Sequence, residues 1–250
     1  MAKLHVRQGG SGDTLYVLLH GLSCTGRVWR DVAALIERDN AGRWIAPDMR
    51  GHGQSEWKTQ YGTGQHAADL APLLKDEDKI RIIGHSMGSL IGLALASGIF
   101  GVKIQSLAGI GTKCRWPQEE REKLNALAAK PSRWFESQAD AIGRYLLVSG
   151  LKGLIEPGDE RLTGTVVEGP DGWRLAADPM ILTTGGPPEG LYAAAAHATK
   201  VRLACGETDN IVTIEELRAL DPDAHLFAGR GHSVHVEDPE AVWAFACSVG

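Results

Sequence analysis

Cysteine is scarce in this chain, and no two cysteines are neighbours. Cys24, Cys114, Cys205 and Cys247 stand far apart in a sequence of 250 residues, with no Cys-x-x-Cys pair among them. That spacing excludes a zinc knuckle and a redox dithiol and leaves four isolated thiols. Runs of lysine and arginine are also lacking, and the formal net charge is -5. The chain therefore carries no electrostatic footprint for nucleic acid or an anionic membrane. No apolar stretch is long enough to cross a bilayer, and the opening MAKLHVRQGGSGD holds no apolar signal core. Repeats and low-complexity linkers are absent. Acidic and histidine residues fall in no metal-ligand pattern, so no metal and no cofactor are expected. These absences point to a soluble, cytoplasmic protein, a monomer or homodimer, whose partner is a small molecule.

What is present is a 43% hydrophobic chain with enough length for one sizeable core. Apolar runs recur at residues 14–19 (TLYVLL), 43–47 (RWIAP), 79–84 (KIRIIG), 103–110 (KIQSLAGI), 200–205 (KVRLAC) and 225–229 (HLFAG). Runs so continuously apolar suit parallel strands covered on both faces. Between them, residues 27–38 place Val28, Val32, Leu35 and Ile36 on one helical stripe, and residues 63–74 repeat the device with Ala67, Leu70, Leu73 and Leu74. Alternation of this kind predicts a mostly parallel, doubly wound α/β sheet.

After Ile110 the alternation stops for about eighty-five residues, more than a crossover needs. An insertion is expected there, starting with helices over 117–130 and 132–150, with Pro117 in a first turn and Ser132 as a cap. Gly169-Pro170-Asp171-Gly172 then reads as a turn between two short extended pieces. The division is a core of 1–111 and 199–250 and a lid of 112–198 over the carboxyl edge of the sheet, where such sheets bind ligands.

Gly84-His85-Ser86-Met87-Gly88 matches Gly-x-Ser-x-Gly, with an apolar strand before it and a helix-forming stretch after it. A serine on so tight a strand-to-helix turn is exposed as a nucleophile, but its hydroxyl needs a base and a carboxylate that orients the base. Asp209, just past one apolar run, and His232, just past the next, supply both in the order Ser, Asp, His. Glu207 and His235 stand close enough to compete for these two roles.

Taken together, the chain resembles the α/β-hydrolase superfamily, in its branch of small lid-bearing serine esterases. The likeness rests on His20-Gly21, on the stretch Asp48 to Ser55 (DMRGHGQS), on the serine turn, on Gly206-Glu207-Thr208-Asp209, and on Gly231-His232 followed by Glu237 and Pro239. It implies the α/β-hydrolase fold with a mainly helical lid inserted after the sixth family strand. It also implies an acyl-enzyme on Ser86 and an oxyanion hole made by the backbone N–H groups of Leu22 and Met87. His20, His52 and His85 are expected to be structural. Ser23 and Cys24, together with the lid tryptophans Trp116, Trp134 and Trp173, are candidates for the substrate pocket.

The expected reaction is cleavage of a carboxylic ester, lactone or thioester. A serine at position 86 argues against dehalogenase and epoxide hydrolase chemistry, which uses a carboxylate nucleophile. Carbon–carbon bond hydrolases tend to carry asparagine where this chain has His85. They remain an alternative, as do non-hydrolytic enzymes of the scaffold and ligand-binding receptors with a slow triad.

Overall fold

The computed structural model describes residues 1–186 and 189–250, so residues 187 and 188 of the expected insertion lie outside the described residues. Strands β1 (Val6–Gly10), β2 (Leu15–Leu19), β3 (Arg43–Pro47), β4 (Ile80–His85) and β5 (Ile104–Ile110) are followed by a separate hairpin, β6 (Val166–Gly169) and β7 (Gly172–Leu175). The chain then returns for β8 (Lys200–Gly206) and β9 (His225–Phe227). The main sheet runs in the order β1-β3-β2-β4-β5-β8-β9. Every pairing in it is parallel except β1 with β3. Strand β1 escapes the apolar pattern because it is an edge strand with one neighbour and only partial cover.

The helices are α1 (Arg30–Arg38), α2 (Thr63–Leu74), α3 (Met87–Ala96), α4 (Gln118–Ala128), α5 (Gln138–Val148), α6 (Leu191–Ala198), α7 (Ile214–Arg218), α8 (Val234–Glu237) and α9 (Pro239–Val249). Successive strand residues face opposite ways. In β2, Leu15, Val17 and Leu19 pack with α2, α3, α6 and α7, while Tyr16 and Leu18 pack with α1 and α9. The result is a mostly parallel sheet with helices on both faces, as the expected doubly wound architecture requires. No described helix is long and apolar enough to span a membrane.

Register aligns the carboxyl ends of the central strands. Leu19 pairs with Gly84, His85 with Ile110, Ile110 with Ala204 and Gly206 with Phe227. The loops that follow these strands therefore emerge side by side along one edge of the sheet.

The segment between β5 and α6 holds α4, α5 and the β6–β7 hairpin. Its second helix starts later than the sequence predicts. Phe135 exchanges backbone hydrogen bonds with Trp173 at 2.7 and 2.8 Å, which holds the chain extended. Helix α5 begins only at Gln138, where Ser137 rather than Ser132 caps it by accepting from the Asp140 N–H at 3.1 Å. Helix α6 packs against α3 and β8. The segment is stitched to the loop after β3: the Gly53 N–H donates to the Ala176 carbonyl at 2.6 Å and the Asp178 N–H to the Gly51 carbonyl at 2.9 Å.

Candidate active site

At the end of β4 the chain must reverse into α3 at once, and it does so through Ser86, whose φ of 51° and ψ of -114° are strained for a residue with a side chain. Two glycines make the turn possible. A Cβ on Gly88 would collide with the Leu19 carbonyl oxygen, and one on Gly84 would lie 2.7 Å from the Ser89 Cα. The Ser86 N–H is anchored by the Ile110 carbonyl at 2.8 Å. Helix α3 is buried along its whole length, and Gly92 lets it press close to Leu107 and Ile82 of the sheet. Ser86 itself is half-buried, between buried His85 and Met87.

Asp209 follows β8 in a turn that fixes its carboxylate. Oδ1 accepts the N–H groups of Ile211 and Val212 at 2.8 and 3.3 Å, and Oδ2 accepts the Nδ1–H of His232 at 2.8 Å. The carboxylate side chain is fully buried, whereas the imidazole keeps 16% of its surface exposed. With Nδ1 committed, Nε2 is the ring nitrogen left for a reaction; among the described residues nothing bonds to it. Gly111 makes room for this pair: its φ is +60° and a Cβ there would lie 2.9 Å from the His232 ring.

The two competitors for these roles have other partners. Glu207 accepts the Gly229 N–H at 2.8 Å. His235 is buried against the rings of His85 and Trp29. Glu237 braces the loop of His232 by accepting the Gly231 N–H at 2.8 Å.

Leu22 lies in the loop after β2, which two buried histidines hold. His20 accepts the Met49 N–H at 2.9 Å and donates to the Gly21 carbonyl at 2.8 Å. His52 accepts the Ser23 N–H at 3.2 Å and donates to the Arg50 carbonyl at 3.0 Å. Burial pulls His20 down to about 4, and burial together with neighbouring His20 pulls His52 down to about 3. Both rings are therefore neutral, each with one donor and one acceptor nitrogen in use. Asp48 completes the support, accepting from the N–H groups of Gly26 and Gln54 at 2.8 and 3.0 Å. Among the described residues, the N–H groups of Leu22 and Met87 have no hydrogen-bond partner.

Ser86, His232, Leu22 and Met87 line one cavity of about 690 Å³, and Trp116 joins them there. The other pocket candidates lie elsewhere. Ser23 turns toward a smaller pocket, and Cys24 is buried in the core with its Sγ 3.8 Å from the Ser149 carbonyl. Trp134 packs on Gly169 with Arg174 over its ring, and Trp173 of β7 packs on the apolar cluster that α5 joins. Sequence reading missed Leu124, Leu147, Leu154 and Lys113, which line the cavity. The leucines carry no local signal, but Lys113 stands just past the apolar run that ends at Ile110, where ligand-facing loops start. Among the described residues, no three His, Cys, Asp or Glu side chains gather as a metal site.

A sequence model of the alpha/beta hydrolase family matches residues 16–245. The chain belongs to that family. One relative of this alpha/beta hydrolase is Lipase LipV of Mycobacterium tuberculosis, 32% identical over 97 residues, or 38% of this chain and 36% of LipV. Another is Probable protein phosphatase methylesterase 1 of Caenorhabditis elegans, 28% identical over 91 residues, or 34% of this chain and 25% of that protein. The aligned stretch thus spans only about a quarter to a third of these relatives' length. Among solved structures, a thioesterase domain from the curacin biosynthetic pathway superposes with a TM-score of 0.81 at 18% identity, covering 98% of this chain and 95% of that one. E-2-(acetamidomethylene)succinate hydrolase superposes with a TM-score of 0.76 at 25% identity, covering 98% and 94%.

Proposed function

We infer that the protein is a serine hydrolase that cleaves a carboxylic ester, lactone or thioester of a small molecule through an acyl-enzyme on Ser86. The observation that carries this reading is the 2.8 Å bond between Asp209 and His232 at the wall of a cavity into which Ser86 also opens. A carboxylate bonded to Nδ1 holds the imidazole with Nε2 free to take a proton. LipV, named a lipase, adds weight to acyl transfer as the chemistry.

In this mechanism His232 Nε2 takes the hydroxyl proton while Ser86 Oγ bonds to the acyl carbon and the carbonyl electron pair moves onto oxygen. The N–H groups of Leu22 and Met87 hold that oxyanion, and the positive end of α3 adds to the field. Collapse breaks the bond to the alcohol or thiol, which leaves with the proton from His232. Water then attacks the acyl-enzyme, gives its proton to Nε2, and a second collapse frees the acid and restores Ser86. The strained turn and the buried carboxylate contribute by being in place before substrate arrives.

The segment after β5 acts as the lid in this reading, because Leu124, Leu147 and Leu154 wall the cavity. Its end is better set before α6 than at residue 198, since α6 packs on α3 and β8 as a crossover helix. The test is twofold: labelling by a fluorophosphonate, with the modified peptide mapped by mass spectrometry, and turnover of a panel of esters, lactones and thioesters. Label on Ser86 with turnover of at least one class is expected. A protein that binds such ligands without labelling or turnover would be a receptor instead.

A further inference from the structure

His85 is the buried residue next to the serine that the mechanism above does not use. Its Nε2–H donates to the backbone carbonyl of His232 at 2.9 Å. Burial, reinforced by His235 and His232 nearby, pulls its pKa well below 6.5, so the ring is neutral with its proton on Nε2. The bare Nδ1 faces Gly21, where an added Cβ would lie only 2.7 Å away. One ring thus touches the loop of the oxyanion donor and the loop of the base while its own backbone leads into Ser86.

The ring is itself held. His235 lies against it with centroids 4.2 Å apart and planes 35° off, and Trp29 lies behind His235 at 4.6 Å. Trp29 follows the loop of Leu22 and His235 follows His232, so the three rings in tilted contact come from the three segments that must keep a fixed spacing. His232 approaches the near side of the column at 4.7 Å.

Resting on the serine-hydrolase reading, we propose that His85 is a positioning residue whose Nε2–H holds the His232 backbone at working distance from Ser86 and from the Leu22 loop. The substitution His85→Gln keeps an N–H at nearly the reach of Nε2, whereas His85→Asn falls one methylene short and His85→Leu removes the donor. The rate, rather than binding, should record the difference, because displacement of reacting groups by about 1 Å costs up to about a hundredfold.

The test compares His85→Gln, His85→Asn and His85→Leu with wild type, using p-nitrophenyl butyrate turnover and the rate of fluorophosphonate labelling. Expected are a kcat about ten- to a hundredfold lower for the asparagine and leucine variants, with KM within about twofold, and recovery to within about threefold of wild type by His85→Gln. Labelling rates should follow kcat. Should His85→Leu be insoluble, the asparagine and glutamine pair decides alone, since the two differ only in reach. Equal kcat for that pair, or a wild-type rate for His85→Leu, overturns the proposal while leaving the labelled serine intact. A wild-type protein that neither labels nor turns over removes the serine-hydrolase reading and this proposal with it.

Discussion

Asp209 receives the Nδ1–H of His232 on one carboxylate oxygen and two backbone N–H groups on the other, so its own turn fixes the carboxylate that meets the imidazole. Asp209→Asn keeps the shape of this contact but favours the wrong tautomer of the imidazole. Its kcat should fall by about ten-thousandfold, with an unchanged circular dichroism spectrum. Steady-state kinetics on whichever substrate class the wild type turns over checks this, and a loss of less than about tenfold would remove Asp209 from the mechanism.

Strain at Ser86 predicts that removing the nucleophile makes the protein more stable. Ser86→Gly relieves a backbone cost of about 1–3 kcal/mol and adds back less than that in chain entropy, for a net gain of about 1 kcal/mol in an inactive protein. Gly88→Ala should act in the opposite sense, losing about 1–3 kcal/mol because the new Cβ meets the Leu19 carbonyl. Urea unfolding of the two variants beside wild type reads both changes.

Buried neutral histidines predict loss of stability in mild acid. His20 is held at about 4, and His52 and His235 at about 3, against an ordinary value of 6.5. Between these limits the unfolded chain binds more protons than the folded one, so stability is full above 6.5 and falls as pH drops toward 4. Each unit of depression is worth about 1.4 kcal/mol. The urea midpoint should therefore hold steady from about pH 8 to 7 and drop steeply by about pH 5. An unchanged midpoint at the lower pH would show that these rings do not gain protons on unfolding.

Trp116 walls the cavity and Trp134 does not. Shortening Trp116 to alanine opens the wall, and the preference for long over short acyl esters should move by about tenfold. Trp134→Ala should leave the same ratio within about twofold. Measuring kcat/KM for acetyl through octanoyl esters distinguishes them.

The central strands and the serine turn were legible because each is dictated locally. A strand covered on both faces must be apolar throughout, and a turn this tight needs glycine at 84 and 88. Asp209 and His232 stand out in the sequence by their places after two apolar runs, and the folded chain brings these two side chains together while Glu207 and His235 meet other groups. The start of α5 was hidden because a partner thirty-eight residues away, Trp173, holds Phe135 extended. Strand β1 was hidden because an edge position relaxes the demand for apolar residues. Cys24 and Trp134 sit beside the right segments with side chains aimed elsewhere, and that direction is set by tertiary packing rather than by composition.

Part of the cavity wall comes from a stretch of chain that carries none of Ser86, Asp209 and His232. Leu124, Leu147 and Leu154 lie between β5 and α6, whereas Ser86, Asp209 and His232 lie on loops at the edge of the sheet. On the serine-hydrolase reading, mutation within that one segment changes part of the pocket wall without touching Ser86, Asp209 or His232. An engineer can vary those three leucines as a set while the loops at the sheet edge keep their sequence.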